Sequence, residues 1–445
     1  MSRPGGRRRQ RLRRVLLDAA PLRHDRDYRW LWTGQAISGI GNQVTRIALP
    51  YQVYVLTGST LAIAGLTAVQ LIPILVFALG AGSVADAVDR RRLLLGTQLG
   101  LFACSVAFVA LALLPAPSLI AIFAVAFASA GLGAIDQPAR SSSIARLVPA
   151  ERLPSAIALN QLNFQTASVI GPAIGGALIA TVGLPGAYLA DVVTFSAAIV
   201  SVLAISPLPP LVSAARPGLA AIREGLRFAL SRRVILSTFA IDLNAMIFGM
   251  PTALFPVLAL DVFKVGPQGL GFLAAAPAAG AFLGALLSGW VSSVQRTGRA
   301  VIVAVAIWGL AIALFGLTTF SFVLALVFLA IAGAADVLSA VFRSTIVQLE
   351  TPDQLRGRVT SIHILVVTSG PRIGDIEAAT VAAVVGPQLS VVSGGVICLV
   401  GVAVVARLFP ELAAHVTRSR RSGEGADADA SGGPRTGDAA ETAPG

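Results

Sequence analysis

Apolar residues in this chain gather into long runs separated by short polar connections, near residues 30–55, 59–81, 93–114, 118–139, 156–180, 186–206, 236–260, 267–291, 300–318, 321–341, 359–384 and 388–408. At about 1.5 Å rise per residue, a helix of each length crosses a hydrocarbon core of about 30 Å, some with tilt. The pattern predicts an all-α integral membrane protein with twelve transmembrane helices. No run shows the two-residue alternation of a membrane barrel strand.

Charge fixes an orientation. Every second connection carries Arg: Arg90, Arg91 and Arg92, then Arg146 and Arg152, Arg223 to Arg233, Arg296 and Arg299, and Arg356 and Arg358. The opposite connections are nearly bare, with Lys264 the one cation. Cationic loops stay in the cytoplasm, so both ends of a multi-pass cell-membrane (plasma or inner membrane) protein are expected there. With 55% hydrophobic and 13% charged residues, the composition excludes a soluble domain with a polar shell.

Residues 1–29 form a basic arm in which Asp18 interrupts the only short apolar piece, and no small-residue cleavage site follows. A cytoplasmic arm is expected rather than a signal peptide. The net charge of +12 suits both attraction to anionic lipid and enforcement of orientation. The tail over 411–445 becomes Gly-, Ala-, Asp-, Ser- and Pro-rich and is expected to be disordered from about 418. Cys104 and Cys398 lie inside apolar runs, which argues against a disulfide framework or a metal site.

The longest internal polar connection, 207–235, holds Pro207, Pro209, Pro210 and Pro217 and then an amphipathic piece with Ile222, Leu226, Phe228 and Leu230. It separates two six-helix bundles, 30–206 and 236–410. The two repeat one another: Gly171-Pro172-Ala173-Ile174-Gly175-Gly176 returns as Gly370-Pro371-Arg372-Ile373-Gly374-Asp375, and Asp136 is matched by Asp336. The loop from Gly82 to Arg92 is echoed from Gly289 to Arg299. Parallel six-helix repeats are the construction of rocking secondary transporters, whose substrate site lies between the halves near the midplane.

On these features the chain is identified as a member of the major facilitator superfamily over roughly residues 22 to 411, its GSVADAVDRRR loop resembling the superfamily signature. More narrowly it resembles the bacterial enterobactin exporter family, through DRDYRWLW (Asp25 to Trp32), Asp136-x-Pro138-x-Arg140, Gly171-Pro172 and SGPRIGDIEA (Ser369 to Ala378). Macrolide-type efflux proteins share the first three features. The resemblance implies export of a small organic molecule by alternating access, driven by an inward proton gradient. It also implies a cytoplasmic gate built from Gly82, Asp86, Arg90, Arg91 and Arg140. Ala87 stands where the signature usually has a basic residue.

In that gate Asp86 could cap a neighbouring helix and pair with Arg140, latching the cytoplasmic side shut. Arg90 to Arg92 also serve topology alone. Arg46, one turn beyond Asn42 and Gln43 in the middle of the first run, costs several kcal/mol unless it faces a wet cavity or an acid. It is expected to point inward and meet an anionic group. In the eleventh run, Arg372 and Asp375 share a helical face and can pair, while Glu377 points away from both. Because a membrane interior disfavours a bare carboxylate, Asp375 or Glu377 is the leading proton-carrier candidate.

Asp242, Asn244, Asn160, Gln161, Asn163 and Gln165 add polar groups at similar depth, as path lining or as glue between helices. Asp242 is read as path lining, Asp136 and Asp336 as structural. His363 is read as a solvated interfacial side chain, and Tyr28, Trp30 and Trp32 as interfacial anchors. No GxxxxGK[ST], HExxH or GxSxG motif occurs, so neither an ATP-driven pump nor an enzyme is expected, and no cofactor or metal. The expected partners are a small-molecule substrate, an anionic, aromatic, siderophore-like compound, together with protons and the lipid bilayer. Nucleic acid is not among them, and a monomer suffices.

Overall fold

Buried in lipid, a backbone has no water to satisfy its N–H and C=O groups, so the apolar runs can only close their hydrogen bonds internally, as helices. The computed structural model describes residues 18–78, 89–209 and 219–417. The basic arm before Asp18, the loop residues Gly82, Asp86 and Ala87 and the expected disordered tail lie outside the described residues.

The first half contains α1 (Arg26–Thr57), α2 (Thr60–Ala78), α3 (Arg90–Leu113) and α4 (Leu119–Leu147), followed by the 52-residue stretch Leu153–Ala204. Gly183, at φ 72° and ψ −177°, breaks that stretch into α5 (153–182) and α6 (184–204). An amphipathic helix, Leu219–Ser231, leads into the second half: α7 (Arg233–Phe248), α8 (Gly266–Leu286), α9 (Thr297–Leu317), α10 (Phe322–Glu350), α11 (Asp353–Val385) and α12 (Pro387–Leu408). Among the described residues there is no strand. Among the described residues nine stretches are long and apolar enough to cross a membrane, with Ala150–Ala204 counted once. The 32-residue α1 and the 33-residue α11 have the length but not the apolarity. They carry the charges singled out above.

Side-chain oxygens mark helix starts, Asp89 accepting from Arg92 N, Ser118 from Ala121 N and Ser321 from Leu324 N. Two helices outrun their apolar patterns. α4 continues to Leu147 rather than 139, and α10 to Glu350 rather than 341, because the charges past those points are neutralised inside the bundle. α7 falls short instead. It stops at Gly249, resumes as a tight turn over Thr252–Leu254 and ends in a wide turn over Leu258–Val262.

α1 packs along α5, where Tyr28 donates to the Ala156 carbonyl (2.9 Å), Trp32 Nε1 to the Leu159 carbonyl (3.2 Å) and Gln43 to Ser168 (2.8 Å). Tyr28 is fully buried, and only Trp30 of the three expected anchors is exposed. Tyr28 and Trp32 are therefore clasps between helices, their polar tips satisfied by carbonyls rather than by lipid headgroups. The repeated Gly-Pro motif does equivalent work in the two halves: Gly171 of α5 lies against Gln43 of α1, and Gly370 of α11 against Met246 of α7.

Among the described residues two hydrogen bonds join the halves, Tyr54 of α1 with Asp261 after α7, and Arg372 of α11 with Gln70 of α2. The halves also meet where α5 crosses α8 at Gly176 and Gly271. A Cβ on Gly176 would stand 2.5 Å from the Pro267 carbonyl, and one on Gly271 2.6 Å from that of Pro172. These contacts lie from the middle of the bundle to the face away from the chain ends.

Overpacking that crossing should cost about 1–3 kcal/mol. Gly271→Val is expected to lengthen the distance between spin labels at Thr57 and Phe320, read by double electron–electron resonance. An unchanged distance would show that the crossing does not hold the halves together.

Candidate functional site

The helices place the charges in two separate groups. Between the halves, Arg46 of α1 is exposed, as is Asn42 one turn earlier on the same face. Arg46 lies within electrostatic reach of Arg372 and Asp375 on α11. Arg372 donates to Gln70 on α2. No ion pair closes between Arg372 and Asp375, which corrects the expectation from their spacing. The Asp375 carboxylate instead accepts from Thr252 Oγ1 (2.5 Å) and Ala253 N (2.8 Å). It caps the first turn beyond the break in α7, where free N–H groups and the local dipole favour an anion.

Glu377 stands on another face, in register with Ile373, Thr380 and Val384, all three exposed. It has no hydrogen-bond partner among the described residues and is not brought to the Arg46–Arg372 pair. Asn160 on α5 keeps a buried Oδ1 without a partner.

The second group lies inside the second half. Asp242 of α7 is fully buried against Arg343 of α10, Nη2 to Oδ1 2.8 Å, and Arg343 is itself 2% exposed. Asp336 stands 3.9 Å from the same guanidinium, and Ser339 accepts from Nη1 at 2.9 Å. His363 of α11 stacks on Phe239 and feels both Asp242 and Arg343. Asp242 therefore does not line an open path, and His363 is not a solvated interfacial ring. The sequence reading missed Arg343, which falls just past the apolar run ending at 341. Its signal was a lone Arg seven residues after Asp336, two turns on along the same face.

The expected gate residues divide. Gly82 and Asp86 lie outside the described residues. Arg140 is committed to Asp136 (Nη2 to Oδ2 2.9 Å), whose other oxygen accepts from Thr97 (2.7 Å) and Gln98 (2.9 Å), so the pair locks α3 to α4. Arg91 donates to the carbonyls of Val202 and Leu203 at the end of α6, and Arg90 N to that of Leu208. A further acid unremarked in the sequence, Asp191 of α6, accepts from Thr45 (2.7 Å) and Ser105 (2.8 Å) and ties α1 and α3 to α6. Amides serve as glue as well, Gln43 to Ser168, Gln52 accepting from Tyr188 (2.7 Å) and Asn244 donating to the Cys398 carbonyl (2.9 Å), beside Gln98 on Asp136.

A bundle of membrane-length helices in two repeating halves, with opposed cations held between them, is the build of a multi-pass membrane transporter. The sequence profile of the transmembrane secretion effector family matches residues 18–427, and the chain belongs to that family of the major facilitator superfamily. It is 29% identical to the enterobactin exporter EntS of Shigella boydii serotype 18 over 384 residues, 85% of this chain and 91% of the relative. The EntS of Escherichia coli O127:H6 is 28% identical over the same length and shares. Two solved structures share the fold. A POT family transporter in complex with 5-aminolevulinic acid superposes with a TM-score of 0.70 at 13% identity, over 87% of this chain and 97% of that one. A bacterial homologue of the iron transporter ferroportin in an inward-facing state does so with 0.68 at 15%, over 88% and 99%.

Removing one partner of a buried ion pair strands the other, at about 3–5 kcal/mol. Arg343→Ala is expected to lower stability by that much in chemical denaturation of the reconstituted protein. Arg233→Ala, whose pair with Glu411 is largely exposed, should cost at most about 1 kcal/mol. Equal losses in the two variants would contradict the burial argument.

Proposed function

We propose that the protein is a secondary active exporter that moves a small anionic, siderophore-like molecule across the cell membrane by alternating access, driven by protons. It acts as a monomer with twelve spans, six in each of two bundles (30–206 and 236–410) joined by the linker 207–235, and with both termini in the cytoplasm. The contacts between halves then close the outer side, and the substrate enters from the cytoplasm.

One observation carries this reading: Arg46 and Arg372, from opposite halves, lie within reach of each other in a bundle that is otherwise largely apolar. Like charges held close where water is scarce repel, and an anion bound between them reverses the sign of the interaction. Such an anion contacts both halves at once, which is what a substrate must do to drive their rocking. The relatives named as enterobactin exporters support the siderophore class. Asn42, Gln70 and Asn160 add hydrogen-bonding groups, and Asp375 fixes the broken end of α7 beside the pair.

Inverted membrane vesicles carrying a proton gradient test the proposal with a catecholate siderophore, a macrolide and a cationic dye, each with and without an uncoupler. Siderophore movement that the uncoupler stops is expected. Arg46→Ala and Arg372→Ala should each reduce it at least about tenfold, since a hydrogen bond to a charged group contributes about 1.5–3 kcal/mol. Movement of the macrolide or dye alone would reassign the substrate class, and movement of none would point to a non-transporting membrane protein.

A further inference from the structure

Two buried acid–Arg pairs, one in each half, are finished differently. Asp136 in the first half is saturated: Thr97, Gln98 and two nitrogens of Arg140 fill its two oxygens. Asp242 in the second half is not. Its Oδ1 lies 2.8 Å from the Arg343 guanidinium but off the direction of an N–H, and neither of its oxygens has a hydrogen-bond partner among the described residues. Arg343 Nε and His363 Nδ1 are likewise buried and unpartnered. Four polar atoms on α7, α10 and α11 are thus buried without a hydrogen bond in one cluster, Oδ1 keeping only its ion contact with Arg343. A buried donor or acceptor without a hydrogen bond is costly, and several gathered at one ion pair mark a place kept open for a further occupant.

The charges do not balance either. Asp242 and Asp336 face one guanidinium, which leaves one negative charge that a single proton cancels. The groups that could neutralise it otherwise are engaged or remote. On the amphipathic helix Glu224 pairs with Arg358 of α11, while Arg223 and Arg227 are exposed. Arg233 at the start of α7 pairs with Glu411, and Glu350 at the end of α10 with His415. α12 presents Cys398, which meets Asn244.

We infer that Asp242, Asp336, Arg343 and His363 form a proton-binding site, physically separate from the Arg46–Arg372 pair, and that this site couples transport to the proton gradient. Its entrance is Asp336, whose side chain is 33% exposed, while Asp242 and Arg343 are sealed behind it. The proton goes onto a carboxylate oxygen, beside the free ring nitrogen of His363, and no other bond is made or broken. Two helices carry the effect onward. α11 bears His363 and, about 14 Å further along at 1.5 Å per residue, Arg372. α7 bears Asp242 seven residues before it breaks at Gly249, and the segment beyond the break is held by Asp375. Uptake and release of the proton changes how firmly α7 and α11 hold to α10, and those helices carry the second half's share of the anion site.

The coupling role rests on the exporter reading; the proton site does not, and its test needs no substrate. The full-length protein in lipid is titrated through neutral pH and followed by infrared difference spectroscopy. A carboxylic C=O band is expected to grow as the pH falls, and to vanish in Asp242→Asn and in Asp336→Asn. It should shift in His363→Gln and persist in Asp191→Asn, Asp375→Asn and Glu377→Gln. Should Asp242→Asn fail to fold with Arg343 stranded, Asp336→Asn at the cluster's open edge decides alone. A band that survives in Asp336→Asn, or that disappears in Asp375→Asn or Glu377→Gln, overturns the assignment. For coupling, Asp336→Asn should exchange a catecholate siderophore between equal concentrations yet lose uncoupler-sensitive accumulation. Full accumulation in that variant would overturn the coupling role, while failure of the wild type to move any siderophore would count against the exporter reading alone.

Discussion

A hydrocarbon interior offers a polar group no partner of its own, and the arrangement of this molecule follows from that one constraint. The backbone answers it by helix formation. Side chains answer it by choosing partners across helices: hydroxyls around Asp191, a hydroxyl, an amide and a guanidinium around Asp136, carbonyls for Tyr28 and Trp32. Where dispersion rather than water drives packing, small residues let backbones meet closely, as at Gly176 and Gly271. Groups left without an answer, the exposed Arg46 and the unsaturated Asp242, then stand out as sites kept for something other than the fold.

The two halves share a plan and differ in its use. Gly171 and Gly370 bring α5 onto α1 and α11 onto α7 in the same manner. Yet the first half saturates the carboxylate of its buried Asp136–Arg140 pair, and the second keeps an ion pair with free valences and a helix that breaks in mid-course. Divergence of a repeated unit is a simple way to separate tasks, one copy giving a firm wall and the other the responsive parts.

Much of the fold was legible because length and apolarity decide it: the runs, the alternation of Arg between connections and the repeated Gly-Pro motif all survive in the helices. Less legible was anything that depends on a partner distant in sequence. Apolarity ended the tenth run before Arg343, but a guanidinium that meets a buried carboxylate no longer ends a helix. Spacing alone paired Arg372 with Asp375, whereas Gln70 and the open turn at Ala253 compete for them from other helices. The same spacing gave no sign that Asp375 would serve as a cap, since the break in α7 is spread over Gly249, Pro251 and the wide turn beyond. Arg46 was readable on its own because a cation in mid-membrane is conspicuous whatever its neighbours.

The single-residue break at Gly183 has a mechanical meaning. α5 and α6 turn over with no loop between them, and Asp191 pins α6 to α1 and α3. The first half is therefore braced at the rim away from the chain ends, with no slack chain between α5 and α6. The second half turns over as sharply at Gly386 between α11 and α12, but its α7 is interrupted from Gly249 to Val262, where α1 of the first half runs unbroken to Thr57. A bend costs least where a helical ladder is already interrupted, so the rocking proposed above would fall on that segment, less a pair of matched jaws than a fixed anvil with one jointed arm.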